Sequence, residues 1–335
     1  MATTAVVTGL GGCVPGTLVK NEAVAERLGV TTDWIRERTG IEQRFVAEPG
    51  EATSDLAVRA GRAALDSCGA TGVDFLILAT TTPDHQVPGT APAVATRLGL
   101  PGLPAFDLNA ACSGFLYAMT VGAGLLATGR YRTGLVIGAD TFTTFVDHTD
   151  QITAPIFGDG AGAAVIRAGG VDEPGAIAAS TLGSDGDLTP LMIVPAGGSR
   201  QRVATETAGA HFTMRGKIVF KNAVRRMTEA AERVMADMGW SVDDVDWLVG
   251  HQANKRILDA TAEALGVPGD KAVVNIDRVA NTSAASIPLA LCDAAAEGAF
   301  APGDRVLLTA FGGGATWAAL ALTWPDLPPI AAASR

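Results

Sequence analysis

The sequence predicts a mixed α/β protein assembled from two copies of one unit. Three observations carry this reading. Short apolar runs of strand length alternate with longer helical segments along the chain. The alternation runs twice, in the same order. Corresponding segments stand at a nearly constant offset of about 170 residues, the mark of an internal duplication.

Taken in order, each element has its counterpart. The amphipathic helix SDLAVRAGRAALDSCG from Ser54 matches FKNAVRRMTEAAERVMADMG from Phe220. DFLILATT from Asp74 matches DWLVGHQA from Asp246: an acidic residue, an apolar strand, then polar residues at its carboxyl end. CSGFLYAMTVGAGLL from Cys112 and NTSAASIPLALCDAA from Asn281 both begin with small or polar residues and turn strongly apolar. A helix buried on nearly every face reads that way. GLVIGADT from Gly134 matches RVLLTAFGGG from Arg305. The junction falls in the loop-rich AGGVDEPGA, giving halves of residues 1–171 and 172–335.

Composition bounds the function. Over 335 residues, an apolar share of 48% against 18% charged describes a globular chain with a substantial core. No uninterrupted apolar run reaches eighteen residues, and MATTAVVTGLGG lacks a basic stretch followed by a long apolar one. Neither a spanning helix nor a signal peptide is expected. Four scattered cysteines, without a CxxC pair or histidines at metal spacing, point to a reducing cytoplasm rather than to disulfides or zinc. A net charge of −10 argues against nucleic acid as a partner. Lys217, Lys221 and Arg225 nevertheless recur every four residues on one predicted helix face. That face is either a solvated one or a docking patch for an acidic partner or a phosphate.

Ligands of open α/β sheets sit beyond the carboxyl ends of the strands. Cys112, the HQAN run and the FGGG run each follow a predicted strand. Cys112 at a helix start would feel the field of helical N–H groups, which favours a thiolate nucleophile; taken alone, it reads equally as a small core residue. His251 alone reads as a structural histidine at a strand end, and Asn281 alone as a helix N-cap. Gly312 to Gly314 read as a turn, or as a close backbone approach with an N–H aimed at an oxyanion.

Joint occurrence changes the weight. DLNAACSGF, HQANKRI, NTSAASIP and AFGGGATW, together with DWIRERTGI and FGDGAGAA, make the chain resemble the β-ketoacyl-acyl-carrier-protein synthase III family of the thiolase superfamily over essentially its whole length. The resemblance implies a five-layered α/β/α/β/α thiolase fold, a homodimer, and a ping-pong decarboxylative condensation between an acyl-CoA and malonyl-acyl carrier protein. It needs no metal or other cofactor. Cys112 would carry the acyl group, with His251 and Asn281 donating hydrogen bonds to the malonyl thioester oxygen. The N–H groups of Cys112 and Gly313 would form the oxyanion hole. Trp34 and Arg38 would contact CoA, and Lys217, Lys221 and Arg256 would line the mouth for pantetheine phosphate and an acidic carrier protein. Val87, Phe157 and Phe311 would wall the acyl pocket; as plain core residues the two phenylalanines would carry no function.

Two positions depart from the family pattern. Gln151 stands where many members have an arginine that clamps adenine, and Val87 where many have a phenylalanine that reaches across the dimer and limits acyl length. The smaller Val87 leads to an expectation of starters longer or more branched than acetyl. The same residues suit a starter-unit ketosynthase of polyketide synthesis. Three other functions compete: acyl transfer to a hydroxyl or amine without decarboxylation, a Cys-His-Asn protease, and a non-catalytic acyl-binding protein. The special work of Asn281 on an enolate disfavours the first. The duplicated pattern and the absence of a CGSCW-like context disfavour the second. The third requires Cys112, His251 and Asn281 all to be idle.

Overall fold

The computed structural model describes residues 3–204, 209–328, 330, 331 and 333. Two sheets form its frame. The first orders its strands Thr3–Cys13, Gly160–Gly170, Thr133–Asp140, Phe75–Ala79 and Ala105–Leu108. The second orders Ile177–Ser184, Thr316–Thr323, Arg305–Gly312 and Trp247–Gly250, and a parallel bridge from Leu248 to Ala272 stands where a fifth strand would. Read in this order, both sheets begin with two antiparallel pairings and continue with parallel ones. The duplication visible in the sequence therefore extends to strands with no obvious sequence match. The acidic residue opening each matched strand has one job in both copies. Asp74 accepts the N–H groups of Arg132 and Thr133, and Asp246 accepts that of Arg305, each pinning the neighbouring strand.

Side-chain alternation along the strands sorts the core into layers. Phe75, Ile77 and Ala79 face inward and share a cluster with Val136, Phe115, Leu116, Ala290, Leu291 and Leu308. Leu76, Leu78, Leu135 and Ile137 face the other way, onto the helix Thr53–Ser67. In the second sheet Leu307 and Ala319 face outward, against the helices Gly216–Met238 and Lys255–Leu265. Helices Gly114–Ala127 and Ser286–Ala296 lie between the sheets, which explains why their sequences are apolar all round. The result is an α/β/α/β/α stack. Burial of each large aliphatic side chain in it contributes about 1.5–3 kcal/mol.

The central layer sits close because Gly138 has no side chain: a Cβ there would lie 2.3 Å from the Ala284 carbonyl oxygen. Through that contact the end of a first-sheet strand touches the turn that follows Asn281. Among the described residues, no helix is long and apolar enough to cross a membrane.

Candidate active site

The strand ends of both sheets converge on one cavity of about 1470 Å³. Cys112 lies in a short 3-10 turn, Ala111–Ser113, and the helix proper begins at Gly114. Asn281 precedes a matching turn, Ser283–Ala285, before the helix from Ser286. His251 follows the strand Trp247–Gly250 and continues its pairing through an N–H donated to the Thr309 carbonyl at 2.8 Å. Cys112, His251, Asn281, Phe311 and Gly313 all line the cavity.

Backbone strain concentrates here. The four non-glycine residues with positive φ among those described are Ala111 (48°), Ala280 (62°), Ser283 (52°) and Ala315 (47°). Two immediately precede Cys112 and Asn281, at equivalent points of the two halves. Each such residue costs on the order of 1–3 kcal/mol, which only a rigid surround can hold. Buried Asp140 is part of that surround. Its Oδ1 accepts the N–H groups of Thr81 and Thr82 and the hydroxyls of Thr80, Thr81 and Thr82, while Oδ2 accepts the Ala284 N–H at 3.0 Å. One carboxylate thus ties a cavity-lining loop of the first half to the Asn281 turn of the second. Asn281 itself is held by backbone bonds from both sides, its N–H to Ile156 and its carbonyl to the Gly158 N–H.

Hydrogen bonding fixes which groups face the cavity. Asn281 Oδ1 accepts the Ser283 N–H at 2.9 Å, so the amide nitrogen is the end left to donate. His251 Nδ1 lies 2.5 Å from Ser286 Oγ, and Nε2 has no protein partner among the described residues. Burial holds the imidazole down to about 3, so His251 is neutral at ordinary pH.

The Cys112 thiol corrects the sequence expectation. Burial pushes it up to about 12, outweighing a hydrogen bond toward Ser283 Oγ at 3.8 Å, while the Asp140 charge pushes it up further. The resting residue is a thiol and not a thiolate, because desolvation of the charged form exceeds what the turn's N–H groups return. Iodoacetamide labelling of Cys112, followed by intact mass, should therefore accelerate about tenfold per pH unit from pH 7 to 9 without levelling off. A plateau below pH 8 would show a resting thiolate instead.

Toward the cavity mouth lie Trp34, Arg38, Lys217, Lys221 and Arg256. Trp34 is half-buried rather than open, with the Arg38 guanidinium stacked 4.4 Å from its ring centre. Asn254 joins this pair to Arg256: its side chain donates to the Arg38 carbonyl and accepts the Arg256 N–H. Lys217, Lys221 and Arg225 are exposed along one face of the Gly216–Met238 helix, whose other face buries Val219, Ala223 and Met227. Gln151 also lines the cavity, and its amide donates to the Leu28 carbonyl at 2.9 Å.

Val87 lies outside the cavity of its own chain. It is 86% exposed and outside the cavity lining, although Asp84, His85 and Gln86 are part of it. The chain turns outward there, and Asp107 on the edge strand holds the loop's end by accepting the N–H groups of Thr90 and Ala91. Phe157 does line the cavity, stacked on Phe142 at 4.2 Å with the edge of Phe212 against both. Sequence reasoning did not reach Phe142, Phe212, Asp140, Ser283 or Ser286. The two serines stood within the NTSAAS run and could have been read from it; Phe212 lies in a segment without pattern.

Comparisons with known proteins agree with this fold. Models of the 3-oxoacyl-[acyl-carrier-protein] synthase III domain and of its C-terminal domain match residues 106–186 and 235–324. The chain is 52% identical to β-ketoacyl-[acyl-carrier-protein] synthase III 5 of Streptomyces coelicolor, over 98% of this chain and 100% of that one. Among solved structures, 3-oxoacyl-(acyl carrier protein) synthase III, FabH, of Pseudomonas aeruginosa PAO1 superposes with a TM-score of 0.92 at 44% identity. That match covers 97% of this chain and 100% of the other. The priming β-ketosynthase of the R1128 polyketide pathway does so at 0.90 and 34%, with 97% of each chain covered.

Proposed function

The chain belongs to the β-ketoacyl-[acyl-carrier-protein] synthase III family, and from that premise we propose that it extends an acyl starter by decarboxylative condensation with malonyl-acyl carrier protein. The observation that carries this is the meeting of a thiol (Cys112) and two donors (His251 and Asn281) in one cavity with a cationic mouth. In the first step the Cys112 sulfur attacks an acyl-CoA thioester. CoA leaves as its thiol, and the oxyanion is held by the N–H groups of Cys112 and Gly313. In the second, malonyl thioester loses carbon dioxide. The resulting enolate oxygen is held by His251 and Asn281, and its carbon attacks the acyl thioester. One proton is taken up, Cys112 returns to its thiol, and the β-ketoacyl thioester leaves on the carrier. Decarboxylation supplies the carbanion, so the scheme calls for no metal or redox cofactor.

Lys217, Lys221 and Arg256 suit the phosphate of a pantetheine arm and an acidic carrier protein. On the donor side, the amide of Gln151 brings no charge to the adenine end, leaving Trp34 and Arg38 to hold CoA. A homodimer is supported by the first sheet's free edge, Ala105–Leu108, where Phe106 is 38% exposed beside the loop carrying exposed Val87. A reducing cytoplasm suits a reaction that needs Cys112 reduced.

Intact-mass analysis after incubation with a panel of acyl-CoAs tests the reading. Acyl adducts on Cys112 are expected, starters longer or branched beyond acetyl among them. Addition of malonyl-acyl carrier protein should discharge them with release of carbon dioxide. Discharge to water, a hydroxyl or an amine without carbon dioxide loss would sink the proposal.

A further inference from the structure

A backbone N–H and an imidazole nitrogen meet at the Ser286 hydroxyl. Its hydroxyl oxygen lies 2.5 Å from His251 Nδ1 and 3.4 Å from the backbone N–H of Gln252, and Ser286 is fully buried. The Gln252 N–H is aimed there by a rigid arrangement. Its side-chain amide donates to the carbonyls of Gly250 and Val273, while its side-chain oxygen accepts the N–H groups of Asn275 and Ile276. An N–H can only donate, so the Ser286 oxygen must accept from Gln252.

That leaves the hydroxyl proton needing an acceptor. Among the described residues the one other recorded partner of Ser286 Oγ is His251 Nδ1. If Nδ1 carried the imidazole proton, the serine oxygen would face two N–H donors, and its own proton would have no acceptor. Leaving a buried donor unsatisfied costs on the order of 1–3 kcal/mol, enough to hold that tautomer below about a sixth of the population. With Nδ1 as acceptor every group is satisfied, and the ring proton sits on Nε2. We infer that Ser286 is a positioning residue that fixes His251 as the Nε2–H tautomer and so presents a donor to the cavity.

The consequence rests on the condensation reading. An Nε2–H donates to an enolate oxygen; the other tautomer would turn a lone pair on it and repel the developing charge. Asn281 and Ser286 belong to one segment, Asn281 just ahead of its turn and Ser286 at its first helical residue. One stretch of chain thus supplies one donor directly and sets the polarity of the other.

Long-range proton–nitrogen correlation on protein labelled with ¹⁵N-histidine reads the tautomer directly. His85, His148, His211 and His251 give four spin systems, and His251→Gln identifies the fourth by its loss. The wild type should show His251 as a neutral Nε2–H ring. Ser286→Ala, a nearly isosteric change, should convert it predominantly to the Nδ1–H form. Carbon dioxide release from malonyl-acyl carrier protein should then fall roughly 10- to 100-fold, with Cys112 acylation within about twofold of wild type. Ser286→Thr, which keeps the hydroxyl, should restore the Nε2–H form. An Nδ1–H ring in the wild type overturns the inference without any variant having to fold. So does a pure Nε2–H ring in Ser286→Ala. A wild type that releases no carbon dioxide yet shows the Nε2–H ring would defeat the condensation reading and leave the tautomer assignment standing.

Discussion

Asn281→Ala is expected to leave acyl transfer onto Cys112 near the wild-type rate and to lower condensation by about 10²- to 10³-fold, the usual cost of one oxyanion donor. The separation follows from where the amide points. Its oxygen is committed to the Ser283 N–H, so its nitrogen is the end left to donate, and among the described residues that donor has no partner to meet before charge develops on the malonyl thioester oxygen. Stability should fall too, because alanine leaves the buried Ser283 N–H without its acceptor, at about 1–3 kcal/mol. Asn281→Asp discriminates between the two effects. The carboxylate keeps an oxygen for the Ser283 N–H, so that bond is retained, at the cost of a buried charge. It replaces the donor with a negatively charged acceptor, so condensation should be at least as impaired as in Asn281→Ala. Single-turnover measurement of each half-reaction, with thermal unfolding alongside, checks both. Equal losses in the two half-reactions would remove Asn281 from the enolate step and return it to a purely structural role.

How far the sequence reached is clearest from these same residues. The duplication was legible because matched strands repeat an acidic residue, an apolar run and a polar end, and Asp74 and Asp246 do perform the same pinning role. The layers were legible in outline, because Cys112 and Asn281 open segments apolar on every face, which only a central layer accommodates. Less legible was anything decided by balance or by long-range contact. The Cys112 site combines turn N–H groups, which favour thiolate, with burial and a nearby Asp140, which oppose it. Residue types alone do not say which wins. Asp140 read as the end of a strand; its partners lie about 60 and 144 residues away in the chain, and no local pattern reports them. Val87 is a further case of placement that one chain does not decide. The resemblance assigns it to an acyl pocket across a dimer; a single chain turns its loop outward, so its influence on the acyl group would have to come through a second copy.

Gly312→Ala should abolish acylation or reduce it by at least about 10²-fold while costing about 1–3 kcal/mol or more in stability. A Cβ at this position would lie 2.8 Å from the Cys112 amide nitrogen, 2.9 Å from that of Ser113 and 3.0 Å from the Ala110 carbonyl oxygen. All three neighbours are backbone, so no side chain can swing aside. The atoms that must move belong to the turn bearing the nucleophile. That turn is already strained at Ala111 and is anchored on its far side, where Ser113 Oγ donates to the Thr316 carbonyl and Thr316 Oγ1 donates to the Ala110 carbonyl. Displacement therefore falls on the Cys112 N–H, the donor assigned to the oxyanion. Gly313→Ala is the contrast, because the one tight contact of its Cβ would be the Ala111 side chain at 3.2 Å, with the Met192 carbonyl oxygen at an ordinary 3.9 Å. A shift of a few tenths of an ångström relieves that contact, so this variant should fold normally and lose far less acylation. Acyl-adduct formation by intact mass, compared at equal folded fraction, distinguishes the two. Wild-type acylation by folded Gly312→Ala would mean that the Cys112 amide takes no part in holding the oxyanion.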